Sequence, residues 1–209
     1  MTASITIRSE YAARALRPGA PLDWIVTVDA TGAVDALVLT DLLGDGQAYD
    51  PARPPDITVT RGGTTLFSGA VAAAAQRDAA TGVTRLGLDI AAALRGAGLA
   101  GTVPDGATVR VAVHGTVGTD YAATGQPMLT SRVGQGDPLN NAARFTGVAD
   151  GQAVASEVSR GEAVLPVGAL SASVYAVRGD QVTYRLRLAM PLGTAQGVQI
   201  AGTSPGMPA

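Results

Sequence analysis

The sequence predicts an all-β protein: one antiparallel β-sandwich repeat, followed by the first strands of a second, incomplete repeat. Three observations lead there. Apolar side chains alternate at every second position, β-rich runs are short and punctuated by Gly, Pro and Asp, and one segment recurs about 160 residues further on.

The alternation is clearest where Leu22, Trp24, Val26 and Val28 fall on one face and Asp23, Ile25, Thr27 and Asp29 on the other, the pattern of a strand with one face in a core. Further β-rich runs are Ser4–Ser9, Val34–Thr40, Ile57–Arg61, Val83–Ile90, Ala107–Thr116 and Asn141–Thr146, divided by clusters such as GDG, PARPPD, RGG, PDG and GQGDP. Many short strands with such punctuation predict a sandwich. Two Ala-rich stretches have helical propensity. Ala91–Leu99, which ends near glycines, is expected to form a short helix, while Val71–Asp78 reads equally as helix or edge strand.

The recurrence pairs LRPGAPLDWIVTV (Leu16–Val28) with VRGDQVTYRLRL (Val177–Leu188). Gly19 falls on Gly179, Leu22 on Val182, Trp24 on Tyr184, Val26 on Leu186 and Val28 on Leu188. With a one-residue gap, Leu39 falls on Ile200. A repeat this long means tandem domains rather than a solenoid, whose units run roughly 20 to 50 residues. The expected division is residues 1–167 as a complete sandwich and 168–209 as the N-terminal strands of a second. Trp24 and Tyr184 are the expected equivalent core anchors. The second copy has too few strands to close a core, so it is expected to leave sheet edges open to neighbouring repeats or to other copies of the chain.

Composition narrows the function. Net charge is −2 with both signs interspersed, which gives no electrostatic footprint for nucleic acid. No apolar run approaches the length of a membrane-spanning helix, so no membrane insertion is expected. The opening MTASITIRSE lacks the regions of a signal peptide, which suggests a mature segment. Cysteine is absent, which removes disulfides and thiolate chemistry. All 15 basic residues are arginine. Neither GxSxG nor HExxH occurs, and no P-loop lysine follows Gly134-Gln135-Gly136, so no enzyme is expected. His114, the only histidine, sits opposite the face of Val109, Val111 and Val113 and reads as a solvated strand residue.

Three segments, ALVLTDLLGDGQAYDP, QGDPLNNAARFTG and LPVGALSASVYAVRGDQVTYRLRL, resemble isopeptide-forming fimbrial-type repeats of giant Gram-negative surface proteins. The resemblance implies Ig-like sandwich modules in an extracellular, cell-surface stalk, fimbria or adhesin. In such repeats a lysine near the first strand joins an asparagine near the last, assisted by a buried carboxyl group. Asn141 resembles the acceptor and Asp41 the assisting acid, and related repeats often carry lysine where this chain has Ala172. With no lysine in the chain and arginine permanently protonated, an internal lysine amide bond is excluded.

Two further groups merit attention as sites. Asp41, Asp45 and Asp50 surround a turn and could offer carboxylates to calcium, the one cofactor considered, although an Asp-Gly turn explains the run without metal. Arg178-Gly179-Asp180 spells an integrin-recognition tripeptide, although Gly179-Asp180 also matches the turn at Pro18-Gly19. The function expected is a rigid structural repeat. The alternatives are a filament subunit joined by strand complementation, or a carbohydrate- or protein-binding module using loops near Tyr49 or Tyr121.

Overall fold

The computed structural model describes residues 4–12, 17–128, 138–163, 169–179 and 181–189. The first sheet runs β1-β2-β9-β5-β6, built from β1 (Ser4–Ala12), β2 (Pro21–Thr31), β9 (Ala107–Val117), β5 (Asp56–Arg61) and β6 (Thr64–Ala70). The short β4 (Gln47–Tyr49) also pairs with β9, at Gly115–Val117. A Cβ on Gly115 would lie 2.7 Å from the Ala48 carbonyl oxygen, so only glycine lets β4 approach there. The second sheet runs β11-β10-β3-β8-β7, from β11 (Gln152–Ala163), β10 (Pro138–Ala149), β3 (Asp35–Leu43), β8 (Thr84–Asp89) and β7 (Ala74–Arg77). All strand pairs are antiparallel.

The two inner faces form one core. Leu22, Trp24, Val26 and Val28 of β2 meet Val109, Val111 and Val113 of β9, and across from them lie Leu37, Leu39 and Leu43 of β3, Leu86 and Leu88 of β8, and Phe145 of β10. Valine dominates the face contributed by the first sheet because a β-branched side chain packs well on a pleated surface.

One helix, α1 (Ile90–Gly96), bridges the sheets and is shorter than expected. Asp89 caps its start, accepting from the Ala92 amide at 2.7 Å, and Ile90, Ala91 and Leu94 are buried beneath it. Gly98, at φ +80°, turns the chain away, leaving Leu99 outside the helix. The ambiguous segment Val71–Asp78 contributes the edge strand β7, all four residues of which are exposed. Three strands lie outside the sequence-predicted runs: β4, β6 and β11. Each offers few apolar residues because it is short or runs at an edge. Among the described residues no helix is long and apolar enough to cross a membrane.

The register fixes where the chain enters and leaves the sandwich. Ser4 pairs with Thr31, and Asp35 with Val148, at one end. Ala12 pairs with Asp23, Leu43 with Asn141, and Pro138 with Ala163, at the other. The chain therefore enters at Ser4 and leaves at Ala163 from opposite ends of the sandwich.

Beyond it, β12 (Ala169–Arg178) and β13 (Gln181–Ala189) form a separate two-stranded sheet. Up to a bulge after Val174, its register matches that of β1 and β2. Leu186 faces Ala172 as Val26 faces Ser9, and Tyr184 faces Val174 as Trp24 faces Tyr11. Burial differs, however. Trp24 is 1% exposed but Tyr184 is 61% exposed, along with Val182 and Leu186. Tyr184 is therefore not a core anchor in this structure, because no second sheet among the described residues covers its face. Ile200, the proposed equivalent of Leu39, lies outside the described residues.

Candidate functional site

The carboxyl and the amide suggested by resemblance are brought together. Asp41 on β3 pairs across the strands with Ala143 of β10, which makes Asn141, two residues away on the same inward face, its diagonal neighbour. Asn141 Nδ2 donates to Asp41 Oδ1 at 2.6 Å, and both side chains are fully buried. Asp41 Oδ2 is buried with no hydrogen-bond partner. Burial pushes the Asp41 carboxyl up to about 7, against the lowering effect of Asn141 and of the Leu42 backbone. Loss of hydration penalises the charged form, and one amide donor only partly offsets it.

A third member of this site escaped sequence reasoning. Ser9 on β1 points inward and its Oγ lies 3.4 Å from Asn141 Oδ1. In the paired registers Ser9 occupies in β1 the place that Ala172 occupies in β12. The recurrence places Val26 on Leu186, but their strand partners Ser9 and Ala172 are set on each other only by the register. Arg160 of β11 donates to the Ser9 carbonyl at 3.2 Å and lies over the Tyr11 ring, 5.1 Å from its centroid. The hydroxyl, the amide and the acid thus come from three strands and both sheets.

A polar tie runs beside it. Trp24 Nε1 donates to Gln47 Oε1 at 2.6 Å, and Gln47 Nε2 donates to the Asn140 carbonyl at 2.7 Å. Gln47 therefore links β2, β4 and β10 within the core. Tyr11 meets Trp24 edge-on with ring centroids 5.9 Å apart.

The remaining candidates separate. Asp45 accepts from the Ala122 and Ala123 amides at 2.7 and 3.3 Å, and Asp50 accepts from the Ala52 amide at 3.0 Å. Those carboxylates stabilise turns, while Asp41 faces the core. The three suggested for calcium do not converge, and among the described residues no three His, Cys, Asp or Glu side chains are grouped to hold a metal ion. Tyr49 and Tyr121 pack partly buried against the core instead of standing out from loops. Arg178 and Gly179 end β12 at a turn, Gly179 at φ +60°, and Asp180 lies outside the described residues.

His114 corrects a second expectation. It faces away from Val109, Val111 and Val113 as predicted, yet it is 8% exposed rather than solvated. Its Nδ1 lies 2.9 Å from Asp23 Oδ1 and its Nε2 3.1 Å from Asp56 Oδ2, with Arg53 3.0 Å from Nδ1. The ring ties β2, β5 and β9 on the outer face of the first sheet. Its companions lie 91 and 58 residues away in sequence, so no local motif announces them.

No protein-family model matches the chain, and no curated protein sequence is similar enough to count as a relative. Among solved structures, the major pilin SpaD of Corynebacterium diphtheriae is similar over 86% of this chain and 39% of its own, at 12% identity and a TM-score of 0.48. A collagen-binding subdomain of the Enterococcus faecalis surface protein ACE matches 74% of this chain and 94% of its own, at 12% identity and a TM-score of 0.40. AvmM, which catalyses macrocyclization in alchivemycin A biosynthesis, matches 78% of this chain and 91% of its own, at 11% identity and a TM-score of 0.39. The strand pairing, and not these distant likenesses, defines the sandwich.

Proposed function

We propose that this chain is a non-enzymatic structural segment of an extracellular, cell-surface or fimbria-like protein, spanning distance by rigid sandwich modules without a lysine amide bond. The observation that carries the reading is the path of the chain. It enters the sandwich at Ser4 and leaves at Ala163 from the opposite end, so successive units would string end to end, and tension would run along the terminal strands. Sliding antiparallel strands lengthwise breaks many ladder bonds at once, which suits a spacer. The matching register of β12–β13 supports a second unit beginning after the first. The partners are neighbouring repeats of the same protein, and no cofactor enters this reading.

The exposed apolar face of β12–β13 favours a second reading, a filament subunit whose C-terminal hairpin completes its core against another copy. Sedimentation over a concentration series distinguishes the two. A spacer segment stays monomeric at every concentration. Polymers that disappear when residues 169–209 are deleted would instead establish the filament subunit.

A further inference from the structure

Ser9, Asn141 and Asp41 place a hydroxyl, a carboxamide and a carboxyl group in contact at the seam of the two sheets. Ser9 Oγ donates to Asn141 Oδ1 at 3.4 Å, which sets the hydroxyl beside the carbonyl whose carbon it would attack. Asp41 Oδ1 lies 2.6 Å from Asn141 Nδ2, the atom that would depart in an acyl transfer. Asn141 and Asp41 are fully buried, which withholds the water that would otherwise compete for the same carbonyl carbon. The pinning of the Ser9 carbonyl by Arg160 holds the nucleophile's strand in place. With no lysine in the chain, the hydroxyl faces no internal amine as a rival.

We propose that Ser9 and Asn141 join in an intramolecular ester, Oγ to Cγ, with loss of ammonia. The Ser9 oxygen attacks Asn141 Cγ, forming a C–O bond as the carbonyl becomes tetrahedral. The C–N bond then breaks, and the serine proton passes through Asp41 to the departing nitrogen, which leaves as NH3. No oxidant, reductant or further reactant is required, and Asp41 is regenerated. A carboxyl held near pH 7 can both take up and return that proton under neutral conditions. The bond would fasten β1 of the first sheet to β10 of the second, at the position equivalent to Ala172. It stands on the geometry of these three residues and is independent of any role at a cell surface.

Intact mass spectrometry of the purified full chain tests it. The expected mass is about 17 Da below that of the sequence, the ammonia lost in acyl transfer. Trypsin should release residues 9–14 and 133–144 as one linked species, which hydroxylamine separates as expected of an ester. Ser9→Ala should restore the full mass, and Asp41→Asn should slow the loss. Three results would overturn the proposal: the full sequence mass, deamidation at Asn141, or an ammonia loss confined within a single peptide, which is a succinimide.

Discussion

Asn141 Nδ2 donates to Asp41 Oδ1 at 2.6 Å with both side chains fully buried, and the other oxygen of that carboxyl has no partner. The hydrogen bonds from Asn141 and the Leu42 backbone do not compensate a buried charge, so the pair is most stable when Asp41 carries a proton on Oδ2.

The pH dependence follows with a definite sign. Folded Asp41 holds its proton up to about pH 7, whereas its unfolded value is 3.8, so the folded state binds the extra proton between those limits. The Asp41 contribution is full below about pH 4 and is lost as pH rises toward 7, by about 4 kcal/mol in total at about 1.4 kcal/mol per pH unit. Asp78, whose carboxyl is lowered by the Ala80 amide and by Thr81, acts in the opposite sense and at lower pH. Urea unfolding of Ser9→Ala and of Ser9→Ala/Asp41→Asn at several pH values, with no bond at Ser9 in either, separates the two. The double variant should show a flatter profile between pH 4 and 7, and an equal slope in both would remove Asp41 as its source.

Trp24 and Tyr184, paired by the recurrence, should respond differently to substitution. Trp24→Phe removes the donor to Gln47 Oε1 and leaves a buried acceptor unpaired, a cost of about 1–3 kcal/mol. Tyr184→Ala acts on an exposed side chain and should change stability by no more than about 0.5 kcal/mol. Chemical denaturation of both variants checks the contrast. A large loss from Tyr184→Ala in dilute monomer would show that its face is covered.

His114 should behave as a structural tie. Replacing it by Ala leaves Asp23 and Asp56 without the ring between them and should cost about 1–3 kcal/mol. A solvated strand residue would change stability by only about 0.5 kcal/mol, which the same denaturation experiment resolves.

The strands with a strong apolar face were legible in the sequence because burial imposes a two-residue period. The alternation of Leu22, Trp24, Val26 and Val28 and the run Ala107–Thr116 both describe core strands. β6 and β11 were not legible, since an edge strand buries too little to select apolar residues. The Asp41 and Asn141 positions came from resemblance alone, because a polar pair 100 residues apart has no periodicity. Ser9 and the His114 companions were invisible for a related reason: they are joined by strand register, which a linear sequence does not display.

The passage of the chain from one end of the sandwich to the other is tested most directly by pulling single molecules along two directions. The chain has no cysteine, so handles can be attached uniquely in Ser4→Cys/Ala163→Cys and Ser4→Cys/Gln152→Cys, both carrying Ser9→Ala so that no bond at Ser9 bears force. Ser4 and Ala163 lie at opposite ends, and Ser4 and Gln152 at the same end. Pulling between opposite ends should load the terminal strands in shear and need the higher unfolding force, while same-end pulling unzips them one pair at a time. Equal forces, or a lower force between opposite ends, would contradict a sandwich built to carry tension along its length.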